Sequence, residues 1–414
     1  MLNQQRLLER FIRYVQVATT ANDATEDYPS SPGQFALGRI LVEELRAAGI
    51  ANALQDEYGI VSATIPATVS HQAPVIAFNA HLDTSPETSG SGVKPQVIRN
   101  YPGGDITLPG DRSQVIRVEQ SPELKELVGR TLITTDGTTL LGGDDKAGVA
   151  VIMEVAAHLA EHRDIPHGAV RVFFTCDEEI GRGAKHVDIK ALGAAACYTL
   201  DGPGAGMIDV ETFSADLATV HIRGVNIHPA IAKDRMVNSI RAAAEFVHRL
   251  PRDTMAPEAT AGRDGFLHPY QIEGGVAETR LRVLLRDFDT AQLAHKADLL
   301  RKIGRAVEQA IPGITVEVNV TRQYRNMAEG LKREPRAVAF AQEAFRRIGK
   351  EAKLDIVRGG TDGSQFTEMG LPTPNLSTGQ HNIHSPLEFA CLEEMAEAAR
   401  VLLELVQLWG NERA

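Results

Sequence analysis

The chain has 414 residues, of which 43% are hydrophobic and 23% charged, with a formal net charge of -11. That length exceeds one ordinary domain, so two are expected, and the apolar fraction supplies sizeable cores and excludes a disordered chain. The negative balance excludes non-specific binding to nucleic acid or to an anionic membrane surface.

In chain order, residues 4–17 carry Leu7, Leu8, Phe11, Ile12 and Val15 at helical spacing, and residues 32–48 carry Leu37, Ile40, Leu41 and Leu45 likewise, so both are predicted helices. The period then falls to two. Residues 60–65 and 75–80 read as strands, the second so uniformly apolar that both its faces are expected to be buried. It leads into His81-Leu82-Asp83-Thr84. Residues 85–130 are rich in Pro and Gly without a strong period and read as a long excursion. At Leu141 to Gly148 two adjacent carboxylates, Asp144 and Asp145, sit between glycines where a helix begins; Val149, Ile152, Met153 and Ala156 give that helix an amphipathic pattern. A strand at 170–175 ends in Cys176-Asp177-Glu178-Glu179, and another at 195–200 ends in Asp201-Gly202. Strands alternating with helices predict an α/β layer with a largely parallel sheet, in which sites collect beyond the carboxyl ends of strands.

From about Phe213 the character changes. Ala218, Val220 and Ile222 alternate as a strand, a helix is predicted at 238–250, Leu281, Val283 and Leu285 alternate again, a charged helix covers 290–311, and Ile314, Val316, Val318 and Val320 form a last strand. Strand, helix, strands, helix, strand is an α+β unit of the split-βαβ, ferredoxin-like kind. It is placed at 213–324, inserted between a first part, 1–212, and a second part, 325–414, of the larger domain. In that second part, helices are predicted at 335–349 and 392–409, and the run Gln380-His381-Asn382-Ile383-His384-Ser385 lies between them.

The three cysteines, Cys176, Cys197 and Cys391, are far apart and form no CxxC pair, which fits a reducing compartment and disfavours a thiolate metal site. No apolar run approaches the roughly 20 residues of a membrane span, and no charged-then-apolar signal pattern opens the chain. A cytoplasmic location is expected.

The polar residues at strand ends carry the chemistry. His81, Asp83, Asp144, Glu178, Glu179, Asp201 and His384 would each pass alone for a turn or a helix cap. Gathered at one edge of one α/β layer, so many carboxylates are costly without a cation, and a mixed imidazole and carboxylate set suits zinc or a similar transition metal. In His81-Leu82-Asp83 the outer residues face the same side of an extended chain, so Asp83 can hold the far nitrogen of His81. The adjacent Glu178 and Glu179 point apart, so one can bind metal while the other serves as general base.

These ordered stretches, His81-Leu82-Asp83-Thr84, Gly143-Asp144-Asp145-Lys146-Ala147-Gly148, Asp177-Glu178-Glu179-Ile180-Gly181, Asp201-Gly202 and Asn382-Ile383-His384, resemble the M20 family of dinuclear zinc peptidases, and within it the tripeptide aminopeptidases. Asn226-Ile227-His228-Pro229, Tyr324-Arg325-Asn326-Met327 and Arg358-Gly359-Gly360-Thr361-Asp362-Gly363 extend the resemblance over nearly the whole chain. It implies a catalytic domain with a mixed, largely parallel sheet, an inserted lid, and two zinc ions per chain. His81 and Asp201 would bind one ion, Glu179 and His384 the other, and Asp144 would bridge them. Asp83 would orient His81, and Glu178 would be the general base. His228, Asn326 and Arg358 would face the substrate, a short peptide losing its N-terminal residue. The assembly it implies is a monomer or homodimer. Arg286 is read as making a structural ion pair at least as readily as facing the substrate, Asp145 as a helix cap or a support behind the metal ligands, and His381 as a rival ligand. The tripeptide branch usually has Thr-Gly-Gly, Asn, an aromatic, His, Gly and Lys before Glu-Phe. Gln380, His381, Ser385 and Pro386 depart from it and are expected to reshape the substrate end. A dipeptidase, carboxypeptidase or N-acyl amino acid amidohydrolase with the same metal site therefore remains an alternative.

Overall fold

Strand Ile76–His81 is buried at all six positions, as its unbroken apolar run requires. It lies at the centre of the first of two units into which the computed structural model, describing residues 2–414, divides. The first unit comprises the chain through Val210, with Glu329–Asp355 and Thr361–Ala414; the second comprises Glu211–Ala328 with Ile356–Gly360. Residues 356–360 thus fall with the second unit, a return that the reading of one insertion at 213–324 does not contain.

In the first unit, Ile76–His81 pairs in parallel with Val170–Thr175 on one side and Ala196–Pro203 on the other, and Ala196–Pro203 pairs in parallel with Asn375–His381. Antiparallel strands extend both flanks, Val61–Ile65 beside Val170–Thr175, and Phe389–Cys391 then Leu132–Thr134 beyond Asn375–His381. The sheet is therefore mixed with a parallel centre. Its register aligns the carboxyl ends: His81 stands opposite Thr175, and Asn79 stands opposite Thr199, so Glu178 and Asp201 follow close beyond the same edge.

Helix Gly143–Glu161 departs from the amphipathic expectation. Every residue from Gly143 to Leu159 is buried. It packs on strand Ile76–His81 and against helices Gln4–Val15 and Leu392–Gly410, so it has no solvent face, and even its polar residues Lys146, Glu154 and His158 are enclosed. Its one buried carboxylate far from the sheet edge, Glu154, is matched by Arg6 and Arg10 at 2.7 Å each.

The 85–130 excursion is ordered about its own apolar cluster. Tyr101, Ile106, Leu108, Ile116, Leu124 and Leu127 pack with Leu132, Phe389 and Cys391.

The second unit is a four-stranded antiparallel sheet in the order Phe266–Gly274, Glu278–Asp287, Ser214–Arg223, Thr315–Tyr324. Helices Ser239–His248 and Thr290–Ala310 supply Ala242, Ala243, Phe246, Leu293, Leu300 and Val307 to a core with Val220, Ile222, Val283 and Leu285. Strand order and helix placement are those of the split-βαβ unit. Strand Phe266–Gly274 is an addition to the sequence reading. It lies at the edge, interrupted by Pro269, and so lacks the buried alternation that marks a strand in sequence.

Candidate metal centre

Three strand ends, one turn and one loop of the first unit bring the site together. His81 closes its strand with its ring almost fully buried; its Nε2 lies 3.0 Å from Asp144 Oδ1 and 3.7 Å from Asp201 Oδ1. Its Nδ1 is 3.2 Å from the Asp83 carbonyl oxygen and 3.5 Å from Asp83 Oδ1. The Asp83 carboxylate does a second thing that spacing alone does not reveal: it accepts the main-chain N–H groups of Glu178 and Glu179, each at 3.1 Å. One buried aspartate therefore sets both the His81 ring and the loop that carries the two glutamates.

That loop enters through Asp177, a buried non-glycine residue at φ 61°. Its carboxylate accepts hydrogen bonds from the Ser30 N–H (2.7 Å), the Ser30 hydroxyl (2.5 Å) and Gln34 Nε2 (2.7 Å), which hold the left-handed turn in place. Glu179 then reaches His384 Nε2 at 3.0 Å, and the same nitrogen is 3.3 Å from Asp144 Oδ2.

Asp144 sits at the start of its helix, past Gly142, which adopts φ 81°, and the Asp144-Asp145 peptide is cis. The turn is gathered by Glu388, whose carboxylate accepts the N–H groups of Leu141 and Gly142 at 2.8 Å and of Asp144 at 3.0 Å. Asp145 turns the other way: its two oxygens accept the His81 N–H (3.1 Å) and the Gly148 N–H (3.3 Å), the capping role expected of it. Asp201 is held from behind, its N–H donating to Asn375 Oδ1 at 3.0 Å and its carbonyl accepting Gln380 Nε2 at 3.0 Å.

The result is two overlapping donor groups, His81 with Asp144 and Asp201, and Asp144 with Glu179 and His384, each with its donor atoms within 4.8 Å of one another. The electrostatics are those of a cluster that attracts positive charge. Burial, reinforced by the charge of Asp144, pushes the Glu179 carboxyl up to about 8 and Asp201 up to about 6. Burial pushes Glu178 well above the usual range too, with Asp201, Asp362 and Glu179 adding to it against His81. Against the desolvation of burial, hydrogen bonds to Asp144 and Glu179 push His384 up to about 11, and His384 and His81 hold Asp144 below the carboxylate range. Among the described residues Glu179 Oε1 is buried with no hydrogen-bond partner, an oxygen that a cation would satisfy. This mixed imidazole and carboxylate set fits one or two transition-metal ions.

A third group, His158, Glu161 and His162, lies at the far end of the same helix. There both oxygens of Glu161 are taken by Arg6, and the two imidazoles stack face to face at 4.1 Å, so the group reads as packing. His381 is not a ligand here: its Nε2 lies 2.7 Å from Glu394 and its ring stacks on Phe389. Gln380 and Ser385 likewise make internal bonds, to Asp201 and to the Asn382 carbonyl. Gln380, His381 and Ser385 thus make their bonds around the loop that carries His384.

The three residues expected to face the substrate belong to the second unit. His228 is exposed, its Nδ1 accepting the Ala230 N–H at 3.2 Å. Asn326 donates to Glu211 and to the Phe288 carbonyl, both at 2.9 Å, and accepts from the Ala328 N–H. Arg358 donates to the carbonyls of Gly262 (2.8 Å) and Asp264 (2.9 Å) and to the Thr260 hydroxyl (2.9 Å), and lies over the Phe213 ring. Asn326 and Arg358 therefore spend their polar groups inside their own unit. Arg286 does not show the expected ion pair among the described residues. It lies over the Tyr324 ring, burial lowers it to about 10, and its Nε has no hydrogen-bond partner.

A profile of peptidase family M20/M25/M40 matches residues 136–408. The chain is 44% identical over 409 residues to Peptidase T of Geobacillus thermodenitrificans, covering 99% of each. The chain therefore belongs to peptidase family M20/M25/M40: it is an enzyme, a metal-binding hydrolase of the aminopeptidase class. Two solved structures share the fold. One is a tripeptidase of Staphylococcus aureus (TM-score 0.76, 24% identity, all of both chains covered). The other is a dinuclear metal-binding M20 peptidase of Bacillus subtilis (TM-score 0.65, 16% identity, 98% of both chains covered).

Proposed function

We propose that this chain is a cytoplasmic, zinc-dependent aminopeptidase that removes the N-terminal residue from tripeptides and other short peptides. The observation that carries the reading is the sharing of Asp144: its Oδ1 lies 3.0 Å from His81 Nε2 and its Oδ2 3.3 Å from His384 Nε2, and the same carboxylate belongs to both donor groups, with Asp201 in one and Glu179 in the other. His81 and Asp201 would hold one zinc, Glu179 and His384 a second, with Asp144 between them. When bound, the two ions would supply Lewis-acid polarisation of the scissile carbonyl and an acidified water.

The rest is the work of the protein's own groups. Glu178, set by the Asp83 grip on its N–H, takes the proton of the attacking water and passes it to the leaving amine. Asp83 holds His81 with Nε2 turned to the site, and Glu388 holds the turn that presents Asp144. The second unit is assigned the role of lid, with His228 as its oxyanion donor, while Asn326 and Arg358 shape that unit. Three buried, unpaired cysteines support the reducing compartment.

The test is a panel of tripeptides and dipeptides, each with the amine or the carboxylate blocked in turn, using protein stripped with chelator and reloaded with zinc, cobalt or manganese. Hydrolysis confined to substrates with a free amine, lost on stripping and regained on reloading, is expected. No cleavage of any tripeptide by the reloaded protein would end the reading, and cleavage that survives amine blocking would move it to the carboxypeptidase or N-acyl alternative.

A further inference from the structure

His81 and His384 are treated differently by the fold. Both turn Nε2 toward Asp144, at 3.0 and 3.3 Å. Behind His81 stands Asp83, fully buried and fixed by two further N–H groups. Behind His384 stands Glu87, whose Oε2 lies 3.1 Å from His384 Nδ1 and whose side chain is 69% exposed. The next residue acts on the main chain: the Thr88 hydroxyl donates to the His384 carbonyl at 2.8 Å, steadying a non-glycine residue held at φ 63°. Residues 87 and 88 therefore fasten both the ring and the backbone of one histidine, 297 and 296 positions away.

An imidazole that donates Nδ1–H to a carboxylate is locked in the tautomer whose Nε2 carries the free lone pair, with its ring plane set. An exposed carboxylate on a loop does this less firmly than a buried one, because water and salt compete for it.

We propose that Glu87 is the positioning residue for His384, and that its exposure makes the Glu179–His384 position the weaker and more exchangeable of the two metal positions. This rests on the ligand set proposed above.

The experiment compares wild type, Glu87→Ala and Glu87→Gln, each stripped of metal and titrated with Co²⁺ or Zn²⁺ alone, with thermal unfolding of the metal-free proteins alongside. The weaker equivalent is expected to lose about 10–100-fold in affinity in Glu87→Ala, the tighter one to stay unchanged, and the metal-free melting temperature to move by no more than about 2 °C. Glu87→Gln keeps an acceptor for Nδ1–H and should fall between the other two. Peptidase activity of Glu87→Ala at limiting metal should drop and be recovered at excess metal. Affinities equal to wild type at both equivalents would overturn the proposal. So would equal weakening of both, or a metal-free protein that melts well below wild type. A wild type that takes up no second equivalent would overturn the ligand set itself, and this inference with it; a wild type with two equivalents and an indifferent Glu87→Ala overturns this inference alone.

Discussion

Glu178→Gln separates proton transfer from every other property of the site. The amide has the shape of the carboxylate, and the main-chain N–H that Asp83 holds at 3.1 Å is untouched, so the loop keeps its position. The proposed metal ligands His81, Asp144, Glu179, Asp201 and His384 are unchanged. What is lost is the proposed base, a group whose proton affinity is raised by burial and by the charges of Asp201, Asp362 and Glu179. A positioned base contributes about 10²–10⁴-fold, or about 3–6 kcal/mol in the barrier at about 1.4 kcal/mol per tenfold. The assay is steady-state hydrolysis of a tripeptide at saturating metal, with metal content and thermal unfolding measured on the same sample. The kcat should fall by that factor while KM, metal content and melting temperature hold. A kcat within about tenfold of wild type, at equal metal content, would refute the assignment. The neighbouring substitution gives the contrast: Glu179→Gln should lower metal content, and identical behaviour of the two variants would mean the adjacent glutamates have been given the wrong roles.

Two further outcomes test the scaffold. A Cβ at Gly148 would overlap the Leu200 carbonyl oxygen and Asp145 Oδ1, so Gly148→Ala should cost about 3 kcal/mol in urea unfolding, and a cost near zero would show that helix and strand can part there. Asp209 is pushed up to about 6 by burial, against the hydrogen bond from Asn375, from an ordinary value of 3.8. Its folded value lies above its unfolded one, so its contribution to stability is complete below pH 3.8 and is lost as pH rises through about 6. Asp209→Asn should remove that loss, flattening the stability profile over this window and gaining up to about 3 kcal/mol at pH 7; an unchanged profile would refute it.

The parts of the site legible in the sequence are those written in short contiguous runs. His81-Leu82-Asp83, Asp144-Asp145 between glycines and Glu178-Glu179 each place two functional groups within three residues, and strand alternation puts them at one sheet edge. The supports are illegible because they are made across the fold. Glu388 meets the Leu141–Asp144 turn from 244–247 positions away, Gln34 meets Asp177 from 143, and Glu87 meets His384 from 297. No period or spacing records such a meeting. The same holds for burial. The pattern of Val149, Ile152, Met153 and Ala156 reads as one apolar face, yet Lys146, Glu154 and His158 on the remaining faces are buried as well, because two helices and the sheet close on them. Substrate-side residues are the least legible: Asn326 and Arg358 are matched to the substrate by resemblance alone, while their side chains bond to Glu211, Phe288, Gly262 and Asp264 inside the second unit.

Asp144 is proposed to serve two cations at once, and metal counting on aspartate variants tests this most directly. Stripped wild type reloaded and dialysed should retain two divalent ions per chain. Asp144→Ala should retain at most one and hydrolyse nothing. Asp145→Ala, which removes the acceptor of the His81 and Gly148 N–H groups, should keep both ions at a stability cost of about 1 kcal/mol. A wild type that saturates at one ion, or an Asp144→Ala variant that keeps two ions and its activity, would contradict the account.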